Sequence, residues 1–256
     1  MMIINHNISA VNTHRNMGLN QTAASKNMEK LSSGLRINRA ADDAAGLSIS
    51  ENMRGQIRGL EQAQRNTQDG ISFVQTAEGA LNEVSAMLTR MKELNIQKDN
   101  GTYQTADKDN IGEEMTALSS QISNILTNTT FNGKSITAGA GIVTDDKGTL
   151  ITIASVTTTS FSGLTSGSSL ASINDAISAV ATERGKLGAV QNRLEYTSNN
   201  LGTTTENLTA SESRIRDTDM AKEMVALTKN NILLQASQSM LAQANSAPQG
   251  VLSLLR

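Results

Sequence analysis

The longest regular pattern in the chain is a run of large apolar residues at steps of seven: Ile173, Val180, Leu187, Leu194, Leu201, Leu208 and Ile215. Seven in one register predict the seam of a long helix packed on other helices. The companion positions Ala176, Glu183, Val190, Thr197, Thr204 and Ser211 are mostly small or polar. The seam is therefore weaker than that of a two-stranded zipper and calls for more than one partner helix. Earlier in the chain Val74, Ala77, Leu81, Val84, Leu88 and Met91 alternate steps of three and four, with Leu60, Ala63, Thr67 and Ile71 ahead of them. Asp99-Asn100-Gly101 breaks that helix. Ile111, Met115, Leu118, Ile122 and Ile125 mark the next one. The pattern predicts helices near 56–98, 104–129 and 170–215.

Residues 131–168 change character. Phe131-Asn132-Gly133 opens a glycine-rich stretch, and Ile142-Val143 and Leu150-Ile151-Thr152-Ile153 flank the turn residues Asp145-Asp146-Lys147-Gly148. Apolar, β-branched runs about a turn predict a β-hairpin. Ser155–Ser169 is rich in Ser and Thr and reads as loop or weak edge strand. At the ends, Ile4, Ile8, Val11, Met28, Leu31 and Leu35 keep helical spacing, as do Met220, Met224, Leu227, Leu234 and Leu241. Asp217, Thr218 and Asp219 suit the N-cap of a terminal helix, and Pro248 should bend or end it.

Composition narrows the functional classes. Aromatics are 2% of the 256 residues, so aliphatic side chains and Met must form the core. The single proline is permissive for long helices. The lack of cysteine excludes disulfides, thiolate metal sites and cysteine nucleophiles. A net charge of −2 disfavours nucleic-acid binding. No run of 18 apolar residues exists, so no membrane insertion by a helix is expected. The N-terminus lacks the basic-then-apolar pattern of a cleaved signal. His6 and His14 stand eight apart, about 80° round a helix, and do not converge on a metal as i,i+4 ligands do. Asp107-Lys108-Asp109 opens like a calcium loop, but Ile111 stands where an oxygen ligand belongs. No catalytic constellation and no cofactor are implied.

The two ends have too few partners within one chain. Adjacent Leu233–Leu234 and Met240–Leu241 spread the apolar residues of 217–256 more than halfway round a helix, whereas a two-helix contact needs one stripe. Burial in such a pair does not offset the entropy of ordering some forty residues. The expectation is an assembling protein whose ends fold on association.

Glu29-Lys30-Leu31-Ser32-Ser33-Gly34-Leu35-Arg36-Ile37-Asn38 leads into Ala41-Asp42-Asp43-Ala44-Ala45-Gly46-Leu47, followed by Gln64-Arg65-Asn66, Asp69-Gly70-Ile71-Ser72 and Glu78-Gly79-Ala80-Leu81-Asn82-Glu83. Later come Leu187-Gly188-Ala189-Val190-Gln191-Asn192-Arg193-Leu194, Ser213-Arg214-Ile215, Leu241-Ala242-Gln243-Ala244-Asn245 and Val251-Leu252-Ser253-Leu254-Leu255-Arg256. In this order, over nearly the whole chain, these segments resemble bacterial flagellin, in a short form without large central variable domains.

The resemblance implies a mainly α fold: long antiparallel helices in a coiled-coil-like bundle, with a small β-hairpin, assembling into a helical filament. It implies an inner coiled-coil domain from residues 1–40 and 217–256, a joint at 41–55, and an outer tube domain at 56–216 with the hairpin at about 131–168. Assembly would fall on Ile4, Ile8, Val11, Leu31, Leu35, Leu227, Leu234, Leu241, Leu252, Leu254 and Leu255. Implied partners are further copies, an export chaperone at the C-terminal segment, filament cap and hook-associated proteins, and a host Toll-like receptor. The receptor motif maps onto residues 88–94, with Arg90, Leu94 and, on the next helix, Glu114 as contacts; Met91 and Lys92 depart from the family's best-known pattern. O-linked sugars are expected on Ser155, Thr157, Thr158, Thr159, Ser160 and Ser162. The family's location is the extracellular filament, reached without signal cleavage. The alternative function is a hook–filament junction protein. The basic run Arg36, Arg39, Arg54, Arg58 and Arg65 reads equally as a balanced solvated face or as ion pairs between subunits.

Overall fold

The computed structural model of the chain describes residues 7–159, 161 and 163–254, with side chains as far as Ala247. Five helices carry most of them: α1 (Ile8–Ser33), α2 (Ala44–Lys98), α3 (Thr105–Asn128), α4 (Leu170–Arg216) and α5 (Met220–Leu254). Four short strands lie between α3 and α4: β1 (Thr130–Phe131), β2 (Lys134–Ser135), β3 (Ala140–Val143) and β4 (Leu150–Ile153). They form two separate antiparallel pairs, β1–β2 and β3–β4. The fold is mainly α, as the seams predict. α2 alone runs 55 residues, about 80 Å at ~1.5 Å per residue.

The chain divides into two compact units. One is Gln56–Asn207; the other joins the described residues up to Gly55 with those from Leu208 onward. In Gln56–Asn207 the periodic seams meet in one core. Val74, Ala77, Leu81, Val84, Leu88 and Met91 of α2 are fully buried, against Met115 and Ile122 of α3 and Ile173, Val180, Leu187 and Leu194 of α4. Glu183 is the one charged side chain in that seam, and the Lys186 ammonium donates to its carboxylate at 2.8 Å. Asp107 serves the helix it opens: its carboxylate accepts from the Gln104 N–H in a capping box.

The β-region closes this core. β3 and β4 pair with Val143 opposite Leu150 and Ala140 opposite Ile153, which turns Ile151 and Ile153 inward. The Ser/Thr-rich stretch after β4 is loop, but it is pinned by buried Val156, Phe161 and Leu164. Side chains of α2 fasten the loop's far end: Asn95 Nδ2 donates to the Ser168 carbonyl and Lys98 Nζ to that of Ser166. The scarce aromatics are concentrated here, with Phe73 and Phe131 edge-to-face at 6.0 Å.

Helix bounds add detail at both ends: α2 begins at Ala44, inside the stretch 41–55 expected as a joint. Asp43 caps it, its Oδ1 accepting from the Gly46 N–H at 2.9 Å. A Cβ at residue 46 would stand 2.8 Å from Ile37, which is buried, and 2.5 Å from the Asp43 carboxylate. The Asp43-Ala44-Ala45-Gly46 motif is thus a helix start pressed against Ile37. Pro248, expected to bend or end the terminal helix, does not end it: α5 continues to Leu254.

Candidate assembly surface

α1 starts with Asn7 as N-cap, its Oδ1 accepting from the Ala10 N–H, and stops at Gly34, which takes the left-handed conformation at φ 72°. α5 lies antiparallel on it: Asn7 Nδ2 donates to the Ala244 carbonyl and Asn20 Nδ2 to the Ser237 hydroxyl. The half-buried positions step by three and four on both helices. On α1 they include Ala10, Thr13, Met17, Asn20 and Leu31, with Ala24 fully buried; on α5, Glu223, Leu227, Asn230, Leu234, Ser237, Leu241 and Ala244. Much of this seam is small or polar, so it fixes register better than it generates stability.

Large apolar side chains sit outside it. Ile8, Val11, Leu19 and Met28 of α1 and Met220, Met224, Val225, Ile232, Leu233 and Met240 of α5 are exposed, Val11 and Val225 each at 70%. This sorts the expected assembly residues. Leu31, Leu227, Leu234 and Leu241 are half-buried by the pairing of the chain's own ends, and Leu35 is half-buried beside it. Ile8 and Val11 are open. Ile4 and Leu255 fall outside the described residues, as do the side chains of Leu252 and Leu254. Sequence reasoning missed the exposed set on α5, although the crowding of Leu233–Leu234 and Met240–Leu241 signalled it. The ends are helical in the single chain, which the entropy argument did not expect, yet they leave that face uncovered.

A clasp ties the ends together at the base of the pair. The Arg36 N–H donates to the Arg216 carbonyl and the Thr218 N–H to the Gly34 carbonyl, about the isolated bridge Leu35–Asp217. The Arg36 guanidinium donates to the Ile215 carbonyl. Arg216, its side chain only 11% exposed, reaches the fully buried Ser50 hydroxyl at 3.2 Å and the Glu51 carboxylate at 2.6 Å. Asp42 accepts from the Arg39 N–H foremost and then the Asn38 N–H, and these bonds hold its carboxyl below the ordinary value. Its stabilising effect is present above about pH 3.8 and is lost as the pH falls through the lower folded value.

The basic run finds partners within the chain. Arg39 meets Glu29 at 2.8 Å, Arg54 meets Glu51 and Glu212, and Arg65 donates to Gln62. Arg216→Ala should strand the Ser50 hydroxyl and cost about 1–3 kcal/mol. The loss should appear as faster hydrogen exchange at residues 34–36 and 217–223, with the melting of Gln56–Asn207 unchanged. Unaltered exchange there would refute the clasp.

The expected receptor contacts separate. Arg90 Nε donates to Glu114 Oε1 at 3.1 Å and Nη1 to Glu93 Oε2 at 3.2 Å, all three side chains about half-exposed. Glu114 foremost, then Glu93, holds the guanidinium above its ordinary value. Leu94 is 1% exposed and belongs to the core. A partner touching this patch meets the ion-pair cluster and not the Leu94 side chain. Of the Ser/Thr segment, Ser155, Thr157 and Thr159 are exposed and Thr158 is half-buried; Ser160 and Ser162 lie outside the described residues.

Among the described residues, no three His, Asp or Glu side chains gather as a metal site would require. Among the described residues, no helix is long and apolar enough to cross a membrane.

Comparison with known proteins matches the family model for the bacterial flagellin N-terminal helical region to residues 4–141 and that for the C-terminal helical region to residues 170–255. The chain is 49% identical to a flagellin of Bacillus subtilis and 50% identical to one of Halalkalibacterium halodurans, each alignment covering all of both chains. It is 44% identical to a flagellar filament 33 kDa core protein of Treponema phagedenis, again over the full length of both. A crystal structure of Bacillus cereus flagellin aligns with a TM-score of 0.48 at 30% identity, covering 54% of this chain and 88% of that one.

Proposed function

The chain belongs to the bacterial flagellin family, and on that premise we propose that the apolar face left open by α1 and α5 is the contact between copies in the filament. The protein is a structural subunit that self-polymerises into the extracellular flagellar filament and serves motility; it is not an enzyme. The observation that carries the assignment of the face is the exposure of Val11, Val225, Ile232 and Met240 on two helices already paired with each other. Apolar surface of this extent on a soluble chain marks an interaction site. Filament seeds added to the purified protein should elongate with no second component. Failure to elongate would favour the alternative, a hook–filament junction protein, which stands in one ring and not along the filament's length.

The finer partners rest on the same reading. An export chaperone would cover the α5 face before assembly, because that face is open in the free chain. Cap and hook-associated proteins would meet subunits at the two ends of the filament. Sugars would attach at Ser155, Thr157 or Thr159, and an intact mass of filament protein equal to the sequence mass would refute this.

Recognition by a Toll-like receptor would use Arg90 and Glu114, supported by their pairing and half-exposure. Leu94 would act from beneath, by holding α2 in the core. Arg90→Ala should raise the monomer concentration needed for half-maximal receptor signalling by roughly tenfold. Leu94→Ala should instead lower the melting temperature, because it opens a cavity. A signal unchanged by Arg90→Ala would remove this site.

A further inference from the structure

The connection between α2 and α3 contains an exposed Asn-Gly pair. Asn100 and Gly101 lie in this turn, both exposed. The Asn100 N–H is spent on the Gln97 carbonyl, and Asn100 Oδ1 accepts from the Thr102 N–H at 3.2 Å. A side-chain oxygen bonded to the N–H two residues on folds the side chain over the intervening peptide. That hydrogen bond turns Asn100 Cγ toward the Gly101 nitrogen. Glycine has no side chain to obstruct that nitrogen's approach.

We propose that Asn100 is a site of spontaneous deamidation, with the Thr102 N–H as the donor that stabilises the reacting oxygen. The Gly101 nitrogen gives its proton to a solvent base and bonds to Asn100 Cγ. Negative charge develops on Oδ1, where the Thr102 N–H already points, as in an oxyanion site. The bond from Cγ to Nδ2 breaks, and Nδ2 leaves with a proton as ammonia. The five-membered imide that remains takes up one water. Opening at one carbonyl gives aspartate; opening at the other gives isoaspartate, with the main chain running through the side-chain carbon. Either product makes the chain one charge more negative.

The molecule contains its own comparison. Asn132-Gly133 has the same residues and is also exposed. Asn132, however, is held at φ 49° in the turn between β1 and β2, closed by Thr130–Ser135 and Phe131–Lys134 pairing. Its side-chain oxygen receives no N–H from two residues on, among the described residues. Asn100 is both less constrained and better supplied with a donor.

The test ages the purified full-length chain in mildly alkaline buffer made with oxygen-18 water and maps its peptides by mass spectrometry. Labelled aspartate and isoaspartate should accumulate at residue 100 well ahead of residue 132. Gly101→Ala should suppress the product at 100 and leave that at 132 unchanged. Thr102→Pro, which removes the donor N–H, should slow residue 100 by about fivefold, the worth of one exposed hydrogen bond, without altering residue 132. Equal or faster reaction at Asn132 would overturn the proposal. So would a Thr102→Pro chain that reacts at the wild-type rate at residue 100.

Discussion

Deletion of residues 217–256 should abolish filament growth while leaving a cooperative thermal transition. The core of Gln56–Asn207 is built from α2, α3, α4 and the β-region, and none of its buried residues comes from α5. The deletion therefore leaves the packed seams at 74–91, 111–126 and 173–194 whole. α1 fares differently. Its one fully buried residue is Ala24, and its half-buried positions lie in the seam with α5. An unpartnered helix of 26 residues with so weak an apolar stripe is marginal in water. The circular dichroism signal should thus fall by more than the share of α5, since α1 loosens with it. Truncated protein that elongates on seeds would show that α5 is not an assembly element. Loss of the cooperative transition would show that the core depends on the ends.

How far the sequence foretells this arrangement depends on whether a position's neighbours are encoded by spacing. Val74 to Met91 alternate three and four, and every one of those positions is buried, because a helix face in a multi-helix core has a single period to obey. Leu227, Leu234 and Leu241 obey a period too, but spacing does not say which helix covers it. They pair within the chain, while Val225 and Ile232, one heptad apart on another side of α5, stay exposed. The start of α2 was less legible still. Its position depends on Gly46 fitting against Ile37 and on Arg216 reaching Ser50 from 166 residues away. Such bonds leave no local pattern. Leu94 shows the opposite case. The resemblance makes it a contact, whereas it stands three residues beyond Met91 and is buried with it.

The separation between seam and open face leads to the second large effect. A chain carrying Val225→Glu and Ile232→Glu should stay folded as a monomer and fail to polymerise. In the free chain these side chains are 70% and 60% exposed, so a carboxylate there stays in water and costs little. Helix propensity is, if anything, improved by replacing β-branched residues with Glu. Between copies the same carboxylates would be taken out of water without a dedicated cation. An unpaired buried charge costs several kcal/mol, and each 1.4 kcal/mol is a factor of ten in an equilibrium constant. The concentration needed for elongation should rise by roughly a hundredfold or more. Leu234→Glu is the contrasting variant. It places the charge in the seam with α1, so it should loosen the ends of the monomer itself, read as faster hydrogen exchange along α1. If the Val225→Glu, Ile232→Glu chain elongates on seeds as the wild type does, the exposed side of α5 is not the face between copies. If it loses helicity as a monomer, that side is already covered within the chain.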